Sequence, residues 1–212
     1  MGNRMEKAQY IAIIILRLFI GILIVLSVAR MNLFLLVMSF FVLFLTFLPA
    51  IIGKSFRINL PIEIDFVLTL VLYLHYALGE YNGFYVRFSW WDIFLHTGNS
   101  VILGFIGMTF VYILLITSKI KAKPILVATF SIFFAVFIGV IWEIFEFTID
   151  QIFGFNMQKS GLVDTMTDLM MDVVGASLIG VAGFFYIKNP KPNLLHSWAL
   201  KILKGIRRES KD

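Results

Sequence analysis

Six stretches of about 20 apolar residues follow one another along this chain, each long enough to cross a hydrocarbon core about 30 Å thick. They cover 10–29, 32–52, 62–81, 91–117, 125–149 and 162–187 of the 212 residues. With 60% hydrophobic and only 15% charged residues, most of the chain must face lipid or other apolar segments, and a soluble enzyme is excluded. The expected fold is all-α: a polytopic membrane protein in which residues 1–190 form a six-transmembrane-helix bundle. The first stretch is too long for a signal-peptide core and no A-x-A-like site follows it, so it reads as a retained anchor. The absence of Cys removes disulfides, thiolate metal sites and a cysteine nucleophile together.

Short polar breaks separate the spans: Lys54 to Pro61, Asn82-Gly83, the basic run Lys119 to Pro124, and the stretch between Gly154 and Gly161. None is long enough for a separate domain. Lys and Arg are retained on the cytoplasmic side, and of the 18 cations only Arg30, Arg87 and Lys159 fall on the opposite side, with Arg17 inside the first span. The chain is therefore expected in the bacterial cytoplasmic (inner) membrane with both termini cytoplasmic. After the last span, residues 191–212 form a basic tail in which Leu194, Leu195, Trp198, Ala199, Ile202, Leu203 and Ile206 recur at helical spacing. That pattern predicts an amphipathic helix on the anionic inner leaflet, with Lys201, Lys204, Arg207 and Arg208 on its other faces. The membrane, rather than nucleic acid, accounts for the basic balance.

Of the 13 acids, Glu6, Glu209 and Asp212 lie in the tails, and Glu63 and Asp65 sit at the cytoplasmic end of the third span, where Arg17 can pair with one of them. The other eight, Glu80, Asp92, Glu143, Glu146, Asp150, Asp164, Asp168 and Asp172, all fall toward the outer side. Asp92, His96 and Asn99 are spaced i, i+4, i+7; Glu143, Glu146 and Asp150 i, i+3, i+7; Asp164, Asp168 and Asp172 i, i+4, i+8. Each set projects from one face of its helix, and the third span adds His75 one turn before Gly79. Arg30, Arg87 and Lys159 are too few to balance so many intramembrane carboxylates, so shared protons, water or a bound cation must compensate.

Plainer readings exist for some of these residues. Glu80, Asp92 and Asp150 lie within two residues of a loop and are compatible with solvation at the interface. Asp164 doubles as a candidate helix N-cap. His96 gains weight from Asp92 one turn away, whereas His196 belongs to the tail helix. Gly98, Gly104 and Gly107, with Gly175, Ala176, Gly180 and Gly183, read as close packing faces, and Trp90 and Trp91 as an aromatic belt. No inverted repeat is visible.

Four motifs in order, each at a span end, resemble a known family. They are His75 to Gly79 (HYALG), Trp91 to His96 (WDIFLH), Trp142 to Phe147 (WEIFEF), and Val163 to Leu169 (VDTMTDL) followed by Gly175-Ala176. Between His75 and Gly180 the chain is similar to the YjdF-type bacterial inner-membrane proteins, and more distantly to the VanZ-like proteins associated with teicoplanin resistance. It departs from that pattern at Asp172, where a small or apolar residue is expected, and in the more ornate loop from Asn82 to Trp90. The resemblance implies a polytopic membrane protein with a link to the cell envelope, and supplies no reaction.

Three functions compete. In the first, the chain is a divalent-metal-dependent, hydrolase-like enzyme acting on a lipid-linked or cell-envelope substrate. Its expected metal ligands are His75, Asp92, His96, Glu143, Glu146 and Asp168, and Glu146, Asp164 and Asp172 are its catalytic candidates. The metal, Mn²⁺, Mg²⁺, Zn²⁺ or Fe²⁺, is left open. The second is an ion- or proton-coupled transporter using the same carboxylates, and the third a non-catalytic structural or regulatory membrane protein. Membrane lipids are the expected partners, nucleic acid is not, and homo-oligomerisation is left open. No Ser/His/Asp order, P-loop, Rossmann glycine pattern or H-E-x-x-H motif is present.

Overall fold

A computed structural model describes residues 2–56, 59–159, 161–188 and 194–208, and every regular element among them is a helix. The expectations placed on Arg57, Lys191, Glu209, Lys211 and Asp212, and on the side chains of Leu194, Ile206, Arg207 and Arg208, lie outside the described residues. Five helices are long and apolar enough to cross a membrane: Arg4–Ala29, Ile62–Tyr81, Trp91–Ile116, Pro124–Phe153 and Leu162–Lys188. A bent pair, Leu33–Leu45 and Leu48–Phe56, which meet at 41°, passes the same test together and makes a sixth crossing if the two helices form one span. The chain divides into two units, residues 1–88 with 200–212, and residues 89–199.

The first unit holds α1 (Gly2–Ala29), α2 (Leu33–Leu45), α3 (Leu48–Phe56), α4 (Ile62–Leu72), a π-helical continuation of α4 (Tyr73–Tyr81) and the single turn α5 (Phe84–Arg87). The 32–52 stretch, expected as one span, is broken because Pro49 lies in the first turn of α3 and cannot continue the ladder of α2. Arg17, midway along α1, donates to the carbonyl and to Oγ1 of Thr46 at this break and pairs with Asp65 at 2.6 Å. Of the two acids offered to Arg17, Asp65 is the partner, while Glu63 pairs with Lys201. The wide π turns bury Tyr76, whose hydroxyl lies 2.7 Å from the Leu35 carbonyl and 2.6 Å from Ser39 Oγ.

The second unit is a three-helix bundle of α6 (Trp91–Ile116), α7 (Pro124–Phe153) and α8 (Leu162–Lys188). Pro124 opens α7 where its missing N–H costs nothing, and Gly154 closes it in the left-handed region at φ +67. The contacts run Thr97 with Gly175, Gly104 with Ile179 and Met108 with Gly183, so α6 and α8 are parallel; Asp172 meets Gly139 and Gly180 meets Ile132, while His96 faces Glu143 and Gly104 meets Ser131, so α7 is antiparallel to both. At Gly175 an added Cβ would collide with the Thr97 carbonyl, which is why small residues lie on this face. Gly98, expected on the same face, has open space beside it. The unit is inverted relative to a soluble domain: Phe133, Phe137, Leu178 and Phe185 point outward while Ser100, Ser131, Glu143, Asp168 and Asp172 are buried.

The tail helix, α9 (Leu194–Arg208), forms where the periodicity places it, but its apolar face is covered differently. Leu195 packs among Met108, Val111 and Val127 in the second unit, Ala199 is fully buried, and His196 Nδ1 lies 3.0 Å from the Tyr112 hydroxyl. In this turn Leu195 and Ala199 are covered by protein: a periodic apolar stripe buries as well against helices as against lipid, and sequence does not distinguish the two surfaces. Trp91 departs similarly from the aromatic-belt reading, being 6% exposed beside the largely exposed Trp90.

Candidate functional site

Because α7 is antiparallel to α6 and α8, the start of α6, the last third of α7 and the start of α8 share one end of the second unit. Asp92 lies in the first turn of α6 and Asp164 in the first turn of α8, where the positive end of a helix dipole favours a carboxylate. Asp164 is thus inside the helix rather than at its N-cap, since α8 starts at Leu162. One turn further in, His96 and Asp168 face each other, with Glu143 of α7 beside them and Asp172 one turn deeper.

His96 stands at the centre. Its Nε2 is 3.7 Å from Asp92 Oδ1, 3.9 Å from Asp168 Oδ2 and 4.0 Å from Glu143 Oε1. Ligand atoms of Asp92, His96 and Asp168 all lie within 4.8 Å of one another, close enough that the three could share one metal ion. On the other side of the ring, Nδ1 is 3.3 Å from Asp172 Oδ1, which also accepts from the Ser100 hydroxyl at 2.7 Å. Asp172 Oδ2 lies against the backbone of Gly139, where a side chain would overlap the carboxylate. Neither carboxylate oxygen of Glu143, 4% exposed, has a hydrogen-bond partner within 3.5 Å. A buried, unsatisfied carboxylate aimed at the same ring nitrogen as two other acids is costly unless it is protonated or a cation sits among them.

The loop between α7 and α8 closes over this end. Asp150 accepts the backbone N–H groups of Met157 and Gln158 at 2.8 and 2.9 Å, so its carboxylate orders the loop. Gln158 then reaches Thr165 Oγ1 at 2.6 Å, and Lys159 reaches Asp92 Oδ2 at 2.8 Å. Gly154 and Gly161, both left-handed, make the two corners.

The remaining expected site residues make hydrogen bonds of their own, and Glu146 stays within electrostatic range of Glu143, His96 and Asp92. Glu146 is half-buried and accepts from the Trp142 indole at 2.9 Å. His75 belongs to the first unit, on the π-helical segment, where Nδ1 is 2.6 Å from the Tyr85 hydroxyl; Gly79 makes room for that ring. Asn99 is half-buried, and the residue of α6 that reaches the cluster a turn beyond His96 is Ser100, at i+8 from Asp92. Ser100 and Gly139 belong to the site without being among the residues expected from the sequence. Ser100 continues the i, i+4 row of Asp92 and His96, a signal the spacing carried; Gly139 carried none.

A family profile described as "Predicted membrane protein (DUF2238)" matches residues 11–189, which is most of the chain and all of the second unit up to the end of α8. The chain belongs to this family. It is also similar to an uncharacterised protein of Thermotoga maritima, 31% identical over 175 residues, spanning 82% of this chain and 86% of the relative. No solved structure matches. The membership establishes an integral membrane protein and adds no reaction to the geometry.

Proposed function

We propose that Asp92, His96 and Asp168 bind a divalent metal, with Glu143 as a fourth ligand or as the base beside it, and that the chain is a hydrolase-like membrane enzyme. The observation that supports this is the environment of His96 Nε2. Three carboxylate oxygens surround it at 3.7 to 4.0 Å, beyond hydrogen-bond reach. A proton on Nε2 would have no acceptor close enough, so a network of shared protons fits the spacing poorly. Donors each about 2.1 Å from a metal lie roughly 3.4 Å apart in a tetrahedron, so the 3.7 to 4.0 Å between Nε2 and the three oxygens would close by a few tenths of an ångström on binding. One imidazole with two or three carboxylates suits Mn²⁺, Fe²⁺, Zn²⁺ or Mg²⁺.

A metal held there would acidify a bound water. Glu143, with both oxygens uncommitted, is the group positioned to take the proton, and Lys159 holds Asp92 in place from outside. The exposed side chains around this end, Ile93, Phe94, Phe147 and Met166 among them, are apolar, so a substrate arriving in the plane of the bilayer has an amphiphilic tail. A lipid-linked phosphoester of the cell envelope meets both demands. The strong bias of Lys and Arg to one side supports a site on the outer face of the inner membrane.

The transporter reading needs a polar route along these helices. Toward the other end of the second unit, Gly104, Gly180 and Gly183 are filled by Ile179, Ile132 and Met108, and Ser131 is satisfied by the Gly104 carbonyl at 2.6 Å. A site closed on one side favours an enzyme. The test is elemental analysis of protein purified without chelator. The expected result is about one equivalent of a divalent metal per chain, lost in a folded Asp168→Asn variant. Metal content unchanged in both Asp168→Asn and Glu143→Gln overturns the proposal.

A further inference from the structure

We infer that Ser100 and Asp172 form a positioning pair that fixes the tautomer of His96, holding the ring proton on Nδ1 and presenting the Nε2 lone pair to Asp92, Glu143 and Asp168. This deepens the metal-site proposal and gives Asp172 a defined role on the far side of the ring from the reacting space.

The inference follows from counting donors. An ionised carboxylate only accepts, and Asp172 Oδ1 already receives the Ser100 hydroxyl at 2.7 Å. At 3.3 Å from that oxygen, an unprotonated Nδ1 would set one lone pair against another, so Nδ1 must donate. The carboxylate is not free to turn away. Its Oδ1 is pinned by Ser100, which is 1% exposed, and its Oδ2 is confined by the backbone of Gly139, where even a methyl group would intrude. Asp172 is itself 2% exposed, and the Ser100 hydroxyl and the His96 ring are the polar side chains that it contacts within 3.5 Å among the described residues. In water the neutral imidazole carries its proton on either nitrogen, and a ligand histidine is commonly fixed by a carboxylate on the nitrogen opposite the metal. Four residues from three helices, Ser100, Asp172, Gly139 and His96, thus make a relay whose output is one uncommitted ring nitrogen.

The chain has 3 His, so full-length protein labelled with ¹⁵N-histidine gives three ring systems, and His96→Gln assigns the one of interest. Spectra are recorded first without metal over a pH series carried up until the His96 signals stop moving, and then with Zn²⁺ as a diamagnetic probe. The expected result is a His96 ring protonated on Nδ1 in the wild-type protein, with the Nε2–H form appearing in Asp172→Asn. The Zn²⁺ affinity is expected to fall about 10- to 100-fold in Asp172→Asn and by less, in the same direction, in Ser100→Ala. A wild-type ring protonated on Nε2 overturns the inference whether or not any variant folds. So does a folded Asp172→Asn protein that keeps both the Nδ1–H ring and the wild-type Zn²⁺ affinity. If the wild-type ring is Nδ1–H and the variant loses it, while Zn²⁺ moves no His96 signal, the positioning pair stands and the metal reading fails.

Discussion

Lys159 and Asp92 are 67 positions apart in the chain, yet the ammonium of the one lies 2.8 Å from the carboxylate of the other. That bond depends on Asp150, whose two oxygens take the N–H groups of Met157 and Gln158 and so aim Lys159 back toward the first turn of α6. An acid compatible with simple solvation at the interface thereby orders the loop that covers the candidate site.

Replacing Asp150 by Ala removes both acceptors. Hydrogen bonds to a charged group contribute roughly 1.5–3 kcal/mol each, so amide exchange at Met157 and Gln158 is expected to speed up at least about tenfold. Exchange measured by mass spectrometry on the intact protein in detergent checks this; unchanged protection at these two amides contradicts it.

Gly139 is the second point of leverage. A methyl group there would occupy the space of the Asp172 carboxylate, and overpacking of this kind costs about 1–3 kcal/mol. Gly139→Ala is expected to lower the thermal midpoint and weaken metal retention together. Gly98→Ala, beside open space, is expected to change neither. A Gly139→Ala protein as stable and as metal-rich as the wild type contradicts the account of Asp172.

The chemistry of single helices was legible in the sequence, and the relations between helices were not. The rows Asp92/His96 and Asp164/Asp168/Asp172 could be read because 3.6 residues per turn fixes which side chains share a face. Spacing could not assign His75 to the first unit, because depth along a span carries no information about its neighbours. Glu143 and Glu146 share a face by spacing, yet a rotation of about 60° between them leaves one buried against His96 and the other bonded to Trp142. The break between α2 and α3 had a signal in Pro49, masked by the continuous apolar run around it. The π-helical turns at Tyr73–Tyr81 had none, since the residues there fit an α-helix equally well.

Arg17 supplies a prediction for the first unit. Its guanidinium serves both the Thr46 groups at the bend and Asp65, with side-chain exposures of 18% and 24% for the ion pair. Arg17→Met strips a partly buried carboxylate and a carbonyl of their donor, at a cost of roughly 1–3 kcal/mol after allowing for solvent screening. The expected outcome is a lower thermal midpoint with unchanged metal stoichiometry, because the proposed ligands belong to the other unit. Metal loss in a folded Arg17→Met protein contradicts that separation.

The most direct test of the central claim is whether a bound metal carries the His96 nitrogen. Mn²⁺ added to the purified full-length protein, read by pulsed electron paramagnetic resonance, is predicted to show ¹⁴N coupling from one imidazole. That coupling is predicted to vanish in His96→Gln and to persist in His75→Gln and His196→Gln. Absence of bound Mn²⁺, or nitrogen coupling that survives the loss of His96, contradicts the account.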